Sequence, residues 1–139
     1  MVLVEPRMDD AAAQEIEACR AIAAGHEGLE LLVLFGSRAR GEARQDSDWD
    51  FGYLADERFD PLDLLPPLVT ALGTDRIDLV DLRKAGALLR FRAVRDGRPI
   101  FEARPGRFQE LQLEAADFWC DVEPVLRRAY DALLSELVP

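Results

Sequence analysis

The sequence is short of histidine and cysteine, and this shortage removes one class of site. Among 139 residues there is one histidine, His26, and there are two cysteines, Cys19 and Cys120, with no CxxC pair. Histidine and cysteine are the usual ligands of zinc, so a zinc site is not expected. The two cysteines are expected to be reduced thiols rather than a disulfide.

Long apolar runs and an excess of positive charge are also missing. No segment approaches the roughly 20 apolar residues that span a bilayer, and no basic stretch precedes a long apolar one near the N-terminus. We therefore expect no membrane partner and a cytoplasmic location. Lys and Arg number 17 against 27 Asp and Glu, for a formal net charge of -10. Such a chain repels polyanions, so no direct contact with nucleic acid is expected. A basic protein partner, or a small anion held by local cations or metals, is favoured instead.

What the chain does contain is an alternation of helix and strand patterns in one globular domain, residues 1–139. Helices are predicted at 9–24, 61–72, 84–95 and 106–137, and strands at 29–35, 48–54, 76–82 and 98–102. The strands and the helices between them form a predicted core, 29–102. Asp9 or Asp10 is the expected N-cap of the first helix, and Pro99 indicates an edge strand.

Three local features of this pattern are less regular. The run SRARGEA, starting at Ser37, is read as the beginning of a short helix. Pro66-Pro67 is expected to break or distort the helix at 61–72, and Pro124 to kink or break the last one. Apolar residues in the last helix predict a stripe that faces the core, with room for a partner contact near Phe118-Trp119. The stripe consists of Phe108, Leu111, Ala115, Phe118, Trp119, Val122, Val125 and Leu126.

Two acids open the second predicted strand. Side chains at i and i+2 of a strand share a face, so Asp48 and Asp50 point the same way, with Trp49 and Phe51 packed on the other side. Two carboxylates on one face repel each other unless a cation lies between them, and hard oxygen ligands of this kind suit Mg2+. One carboxylate is also a candidate general base.

A third acid on the next strand would complete such a site. The run Ile77-Asp78-Leu79-Val80-Asp81 supplies Asp78 and Asp81, which lie on opposite faces. Only one of them can join the first two acids, and alternation alone leaves the choice open.

A candidate phosphate-binding turn follows the first strand. Gly36 has no Cβ and would let the backbone approach a phosphate closely. Ser37 would present its hydroxyl and N–H, and Arg40 would reach a phosphate oxygen. Arg38, Arg40 and Arg44 are equally compatible with a solvated loop.

A basic stretch from Arg83-Lys84 through Arg90, Arg92 and Arg95 stands out in this acidic chain. Two readings of it stay open. It could approach a triphosphate or an acidic face of a partner, or it could be a solvated helix face.

Three segments together resemble the minimal nucleotidyltransferase (MNT) antitoxins of the DNA polymerase beta superfamily, the partners of HEPN-domain toxins. These segments are GSRARGEARQDSDWDFGYL, RIDLVDL and the C-terminal run ARPGRFQELQLEAADFWCDVEPVLRRAYDALL. The resemblance implies an α/β (α+β) nucleotidyltransferase fold, with a small mixed sheet flanked by helices and a long helical tail. It implies ATP and Mg2+ as cofactors. It selects Asp78 as the third acid, so that Asp48, Asp50 and Asp78 are the implied metal ligands and catalytic residues, and it assigns Gly36, Ser37, Arg40 and Ser47 to nucleotide binding.

The same resemblance implies an activity. It predicts the antitoxin of a type VII-like HEPN/MNT pair, which transfers AMP from ATP to tyrosine hydroxyls of the HEPN ribonuclease toxin. Two alternatives remain at this stage. The chain could neutralise its toxin by occlusion without catalysis, or it could transfer nucleotides to a small molecule such as an aminoglycoside.

Overall fold

A computed structural model describes residues 10–44 and 47–137, which form a four-stranded sheet with helices on both faces. The helices are α1 Asp10–Ala24, α2 Pro61–Leu72, α3 Ala87–Asp96 and α4 Arg107–Leu137. The strands are β1 Leu29–Phe35, β2 Trp49–Ala55, β3 Ile77–Asp81 and β4 Arg98–Glu102. All eight predicted elements are present. The largest shift is in α3, which begins at Ala87 because residues 82–84 form a turn after β3. Asp9, one predicted N-cap, lies outside the described residues, and Asp10 is the first residue of α1.

The sheet is mixed, as expected. Its strand order is β3-β2-β1-β4. Strand β1 runs antiparallel to both β2 and β4, whereas β2 runs parallel to β3. A parallel pair needs a crossover connection, and α2 provides it. Strand β4 lies at an edge of the sheet, as Pro99 indicated. Proline has no N–H to donate to a neighbouring strand, and an edge strand tolerates this because it has a neighbour on one side only.

Alternation along the strands divides the core between the two faces of the sheet. Helices α1 and α2 cover one face and α3 and α4 cover the other. The first cluster includes Cys19, Leu32, Leu34, Trp49, Phe51, Tyr53, Leu64 and Leu68. The second includes Leu31, Val33, Leu54, Leu82, Ala93, Val94, Phe108 and Leu111. Trp49, Phe51 and Tyr53 of β2 pack in the first cluster. The residues of β2 between them, including Asp50, therefore face the side of the sheet that α3 and α4 cover.

Pro66-Pro67 was expected to break or distort helix α2; the helix continues through both prolines, so a break there is wrong. The Asp60 side chain caps its start by accepting a hydrogen bond from the Leu62 N–H at 2.9 Å. A proline in a helix interior costs about 3 kcal/mol, so the two together cost about 6 kcal/mol. Leu64 and Leu68 are fully buried and each contributes roughly 1.5–3 kcal/mol, which offsets much of that cost.

Helix α4 also continues through its proline, Pro124, so a break there is wrong as well. Its first turns pack on the sheet through Phe108, Leu111 and Ala115, as the predicted stripe required. Farther on the stripe is wrong, because Val125 and Leu126 are exposed. The side chains of Phe118, Trp119 and Val122 lie outside the described residues. Neither α4 nor any other helix in the described ranges combines the length and apolar character needed to cross a bilayer.

We expect truncation of a buried α2 leucine to be far more costly than truncation of an exposed one. Leu64 is fully buried whereas Leu62, two residues earlier, is 73% exposed. Leu64→Ala should lower the free energy of unfolding by about 2–5 kcal/mol, and Leu62→Ala by no more than about 0.5 kcal/mol. Urea denaturation of both variants measures the difference. Equal losses would contradict the packing of α2 on the sheet.

The two cysteines are free thiols, as predicted, but in different environments. Cys19 is buried in α1 and Cys120 is exposed on α4. Burial, with a smaller contribution from the charge of Glu15, raises the pKa of the Cys19 thiol to about 12. Because only the thiolate reacts, Cys19 should stay inert at pH 8 while Cys120 reacts with a thiol reagent. We expect one reactive thiol per native chain and two in denaturant. Two reactive thiols in the native protein would contradict this placement.

Candidate active site

The site is built around two carboxylates on neighbouring parallel strands. Asp50 of β2 lies opposite Asp78 of β3 in the strand register. The pKa of Asp50 is raised, first by burial, then by the negative charges of Asp78 and Asp48 and by a side-chain hydrogen bond with Asp78, while the charge of Arg40 opposes the rise. The parallel pairing of β2 and β3 therefore brings the predicted second and third acids together.

Asp81, the other candidate for the third acid, lies on the opposite face. It is the last residue of β3 and is paired with Tyr53, whose ring belongs to the core cluster under α1 and α2. Burial raises the pKa of Tyr53, and the charge of Asp81 adds to that rise. The Asp81 carboxylate also accepts a hydrogen bond from the Arg83 N–H at 2.9 Å. Asp81 is thus a turn residue of the opposite face and does not meet Asp50.

The first predicted acid, Asp48, is exposed and immediately precedes β2. Its charge reaches Asp50, since it contributes to the raised pKa of that carboxyl. Across residues 10–44 and 47–137, no three histidine, cysteine, aspartate or glutamate side chains are arranged to hold a metal ion as they stand. The structure thus joins Asp50 to Asp78 closely and leaves Asp48 as a more distant electrostatic neighbour.

Gly36 brings the chain into contact with this acid pair. Its φ is +75°, in the left-handed region, and a Cβ at this position would overlap the Asp50 carboxylate. Such a backbone conformation and such a close approach both favour glycine. The turn from the end of β1 into the next loop is therefore shaped directly against the acids.

The short helix predicted from Ser37 is wrong, because these residues form turns. The N–H groups of Ala39 and Arg40 both donate to the Gly36 carbonyl, at 3.2 and 3.3 Å, and the Glu42 N–H donates to the Ser37 carbonyl at 2.9 Å. Gly41, with a φ of +73°, leaves the right-handed conformation before a helix can propagate. The Ser37 N–H still lies in the first turn after the strand, next to Gly36.

A contact between Arg38 and the loop before β2 was not predicted from the sequence. The Arg38 guanidinium donates to the Ser47 carbonyl from Nε at 3.2 Å and from Nη2 at 2.8 Å, and it stacks 4.2 Å over the Trp49 ring. The Ser47 hydroxyl accepts a hydrogen bond from the Arg44 N–H at 2.7 Å. Arg38 and Ser47 thus hold the backbone that precedes Asp48. The sequence feature that could have indicated this contact is an arginine and a tryptophan on either side of the same loop.

The basic stretch after β3 divides into two groups. Arg83 forms an ion pair with Glu30 at 2.7 Å, and Arg90 donates from Nε and Nη2 to the carbonyls of Leu82 and Arg83, each at 2.8 Å. These two arginines hold the connection between β3 and α3. Arg92 and Arg95 instead face a pocket of about 410 Å³ beside the Gly36 turn. The pocket is lined by Phe35, Gly36 and Arg40 on one side and by Leu89, Arg92, Arg95 and Asp96 of α3 on the other.

Comparison with known proteins supports the resemblance noted in the sequence. The family described as "Polymerase beta, Nucleotidyltransferase" matches residues 17–105. A protein named Protein adenylyltransferase MntA, from Aphanizomenon flos-aquae, is 34% identical over 96 residues, which cover 60% of this chain and 64% of that protein. The chain therefore spans just under two thirds of the length of this relative.

Solved structures share the fold. A toxin-antitoxin crystal structure with AMP-PNP aligns with a TM-score of 0.71 and 24% identity, covering 86% of this chain and 98% of that one. A structure of tri-AMPylated Shewanella oneidensis HEPN toxin in complex with MNT antitoxin aligns with a TM-score of 0.64 and 23% identity, covering 89% and 96%. Because the family match covers more than half of the chain and includes the Gly36 turn, β2 and β3, the chain belongs to the polymerase beta nucleotidyltransferase family.

Proposed function

We propose that this chain is a protein adenylyltransferase that transfers AMP from ATP to a tyrosine hydroxyl of a HEPN-domain toxin and thereby acts as its antitoxin. The observation that carries the proposal is the Asp50–Asp78 pair, set against the Gly36 turn on one face of the sheet. The relative named protein adenylyltransferase and the fold shared with toxin-antitoxin complexes support the choice of donor and acceptor.

In the proposed reaction the tyrosine oxygen attacks the α-phosphorus of ATP. A new O–P bond forms, the bond from the α-phosphorus to the bridging oxygen breaks, and pyrophosphate leaves. The tyrosine proton passes to a carboxylate of the Asp50–Asp78 pair. A carboxylate that accepts this proton must lie within hydrogen-bond reach of the tyrosine oxygen. Ser37 and Arg40 hold phosphate oxygens, and Gly36 keeps a side chain out of their way.

The donor set fits Mg2+ in its chemistry. Asp48, Asp50 and Asp78 offer hard carboxylate oxygens. Burial is the main cause of the raised pKa of Asp50, and the negative charges of Asp78 and Asp48 add a repulsion that a cation would relieve. We assign these three residues as the ligands. Mg2+ bound there would neutralise negative charge on the phosphates during transfer.

The exposed half of α4 offers a surface for the protein partner. Leu126, Tyr130 and Leu133 recur at spacings of four and three residues, which aligns them on one helix face, and each is 46–61% exposed. A row of large exposed apolar side chains on a helix commonly marks a protein interface. We infer that the HEPN toxin covers this face when its tyrosine enters the active site.

Intact-mass measurement of a HEPN-domain partner tests the proposal. The protein encoded beside this chain is incubated with it, ATP and Mg2+. We expect mass increments of whole AMP units, and no increment with Asp48→Ala or Asp50→Asn. An increment that survives either substitution would contradict the assignment of these acids.

The same experiment distinguishes the alternatives. A stable complex without any increment, and protection from the toxin that survives Asp48→Ala, would overturn transfer and favour neutralisation by occlusion. Failure to form either an increment or a complex would overturn the protein acceptor. A small hydroxylated acceptor would then be the remaining candidate.

A pair of glycine variants tests the contact between the turn and the acids. Gly36 and Gly41 have nearly the same left-handed φ, but only a Cβ at Gly36 overlaps Asp50, whereas a Cβ at Gly41 meets no atom within 4 Å. Both alanine variants should lose a similar 1–2 kcal/mol of stability from backbone strain, roughly. Gly36→Ala should also lose on the order of a hundredfold in kcat/KM, because it displaces the acid. Similar kcat/KM values for the two variants would contradict this role of Gly36.

A further inference from the structure

Helix α3 forms one side of the pocket beside the Gly36 turn, and its residues have no role in the catalysis proposed above. Leu89, Arg92 and Arg95 follow one another at three-residue spacing and therefore share a face of α3. This face lies across the pocket from Gly36 and Arg40. Helix α3 packs on the same side of the sheet as the acid pair, since Ala93 and Val94 are buried in the cluster that contains Val33.

The pocket is positively charged in a chain of formal net charge -10. Three arginines and one aspartate line it, which leaves an excess of two positive charges. Hydrogen bonds from Arg95 lower the pKa of the Asp96 carboxyl, and the charge of Arg40 adds to that effect, so guanidinium groups from both walls act on one carboxylate. A local excess of cations in an acidic protein favours a small, highly charged anion.

Arg92 differs from the other two arginines of this pocket. Arg95 is paired with Asp96 at 2.8 Å and Arg40 with Glu42 at 3.1 Å. Within the described parts of the chain, Arg92 has neither a hydrogen-bond partner nor an ion-pair partner. An anion that enters the pocket can therefore bind Arg92 without displacing a resident carboxylate.

We propose that Arg92 binds the β- and γ-phosphates of the nucleotide and stabilises the departing pyrophosphate. The inference rests on the proposed function, because it takes the donor to be a nucleoside triphosphate. The turn at Gly36 holds the phosphate chain next to Asp50, and the pocket continues from this turn toward α3. As the bond between the α-phosphorus and its bridging oxygen breaks, negative charge develops on pyrophosphate, and a guanidinium at that end favours its departure.

Binding of a nonreactive nucleotide tests the proposal without requiring transfer. Isothermal titration calorimetry with Mg2+ and α,β-methylene ATP gives Kd for the wild-type chain, Arg92→Ala, Arg92→Lys and Arg83→Ala. Arg83 lies outside the pocket and is paired with Glu30, so Arg83→Ala matches the change in net charge. Loss of one charged hydrogen-bond donor should weaken binding by about tenfold or more.

The expected pattern is specific to the terminal phosphates. Arg92→Ala should bind the triphosphate analogue at least about tenfold more weakly and bind AMP with unchanged affinity. Arg92→Lys should recover part of the loss, and Arg83→Ala should bind both ligands like the wild type. Inhibition of transfer by added pyrophosphate should also weaken in Arg92→Ala.

Other outcomes would overturn the role of Arg92. Unchanged triphosphate affinity in Arg92→Ala would do so, as would an equal loss for AMP and for the triphosphate. Normal nucleotide binding combined with a lost protein complex would assign Arg92 to the toxin instead. If the wild type binds the triphosphate with the expected Arg92 dependence but modifies no partner, the proposed function fails and the phosphate role of Arg92 stands.

Discussion

Parallel pairing of β2 with β3 is the constraint on which the site depends, because it sets Asp50 beside Asp78 despite their like charge. Burial, together with the resulting repulsion, raises the pKa of Asp50 and makes it harder to ionise in the folded chain than in the unfolded one. Its contribution to stability is therefore greatest below the ordinary carboxyl pKa and declines as the pH rises through the raised value. At neutral pH the packing of the fold must therefore outweigh the unfavourable electrostatic energy of the Asp50–Asp78 pair. Trp49 and Phe51, buried on the reverse side of the same strand, anchor β2 while it does so.

The approach to the acids is controlled from the neighbouring loops. Gly36 lacks the Cβ that would collide with Asp50 at that position, and Arg38 ties the backbone at Ser47 to the face of Trp49. Both contacts converge on the beginning of β2. Displacement of either loop would therefore move Asp48 and Asp50 relative to the Gly36 turn.

Sequence periodicity was sufficient for the order of helices and strands, because each carries a regular apolar pattern that the core satisfies. It could not choose between Asp78 and Asp81, since alternation places them on opposite faces without saying which face meets Asp50. Sheet register decides that question, and register is a tertiary property. The breaks considered at the prolines are absent for a related reason. Each proline destabilises the helix locally, but the buried side chains of Leu64 and Leu68 hold α2 on the sheet. These tertiary contacts are not visible in the local sequence.

The arginines after β3 show how packing turns a uniform basic stretch into groups with different tasks. Burial of Ala93 and Val94 fixes the rotation of α3 against β1. That rotation directs Arg90 to the carbonyls of the preceding turn and leaves Arg92 facing the pocket. In a chain with many more acids than bases, the positive charge near the Gly36 turn therefore depends on how two small apolar side chains, Ala93 and Val94, pack in the core. A change that rotates α3 would weaken the proposed anion binding without altering a single charge, which links the pocket to the core beneath it.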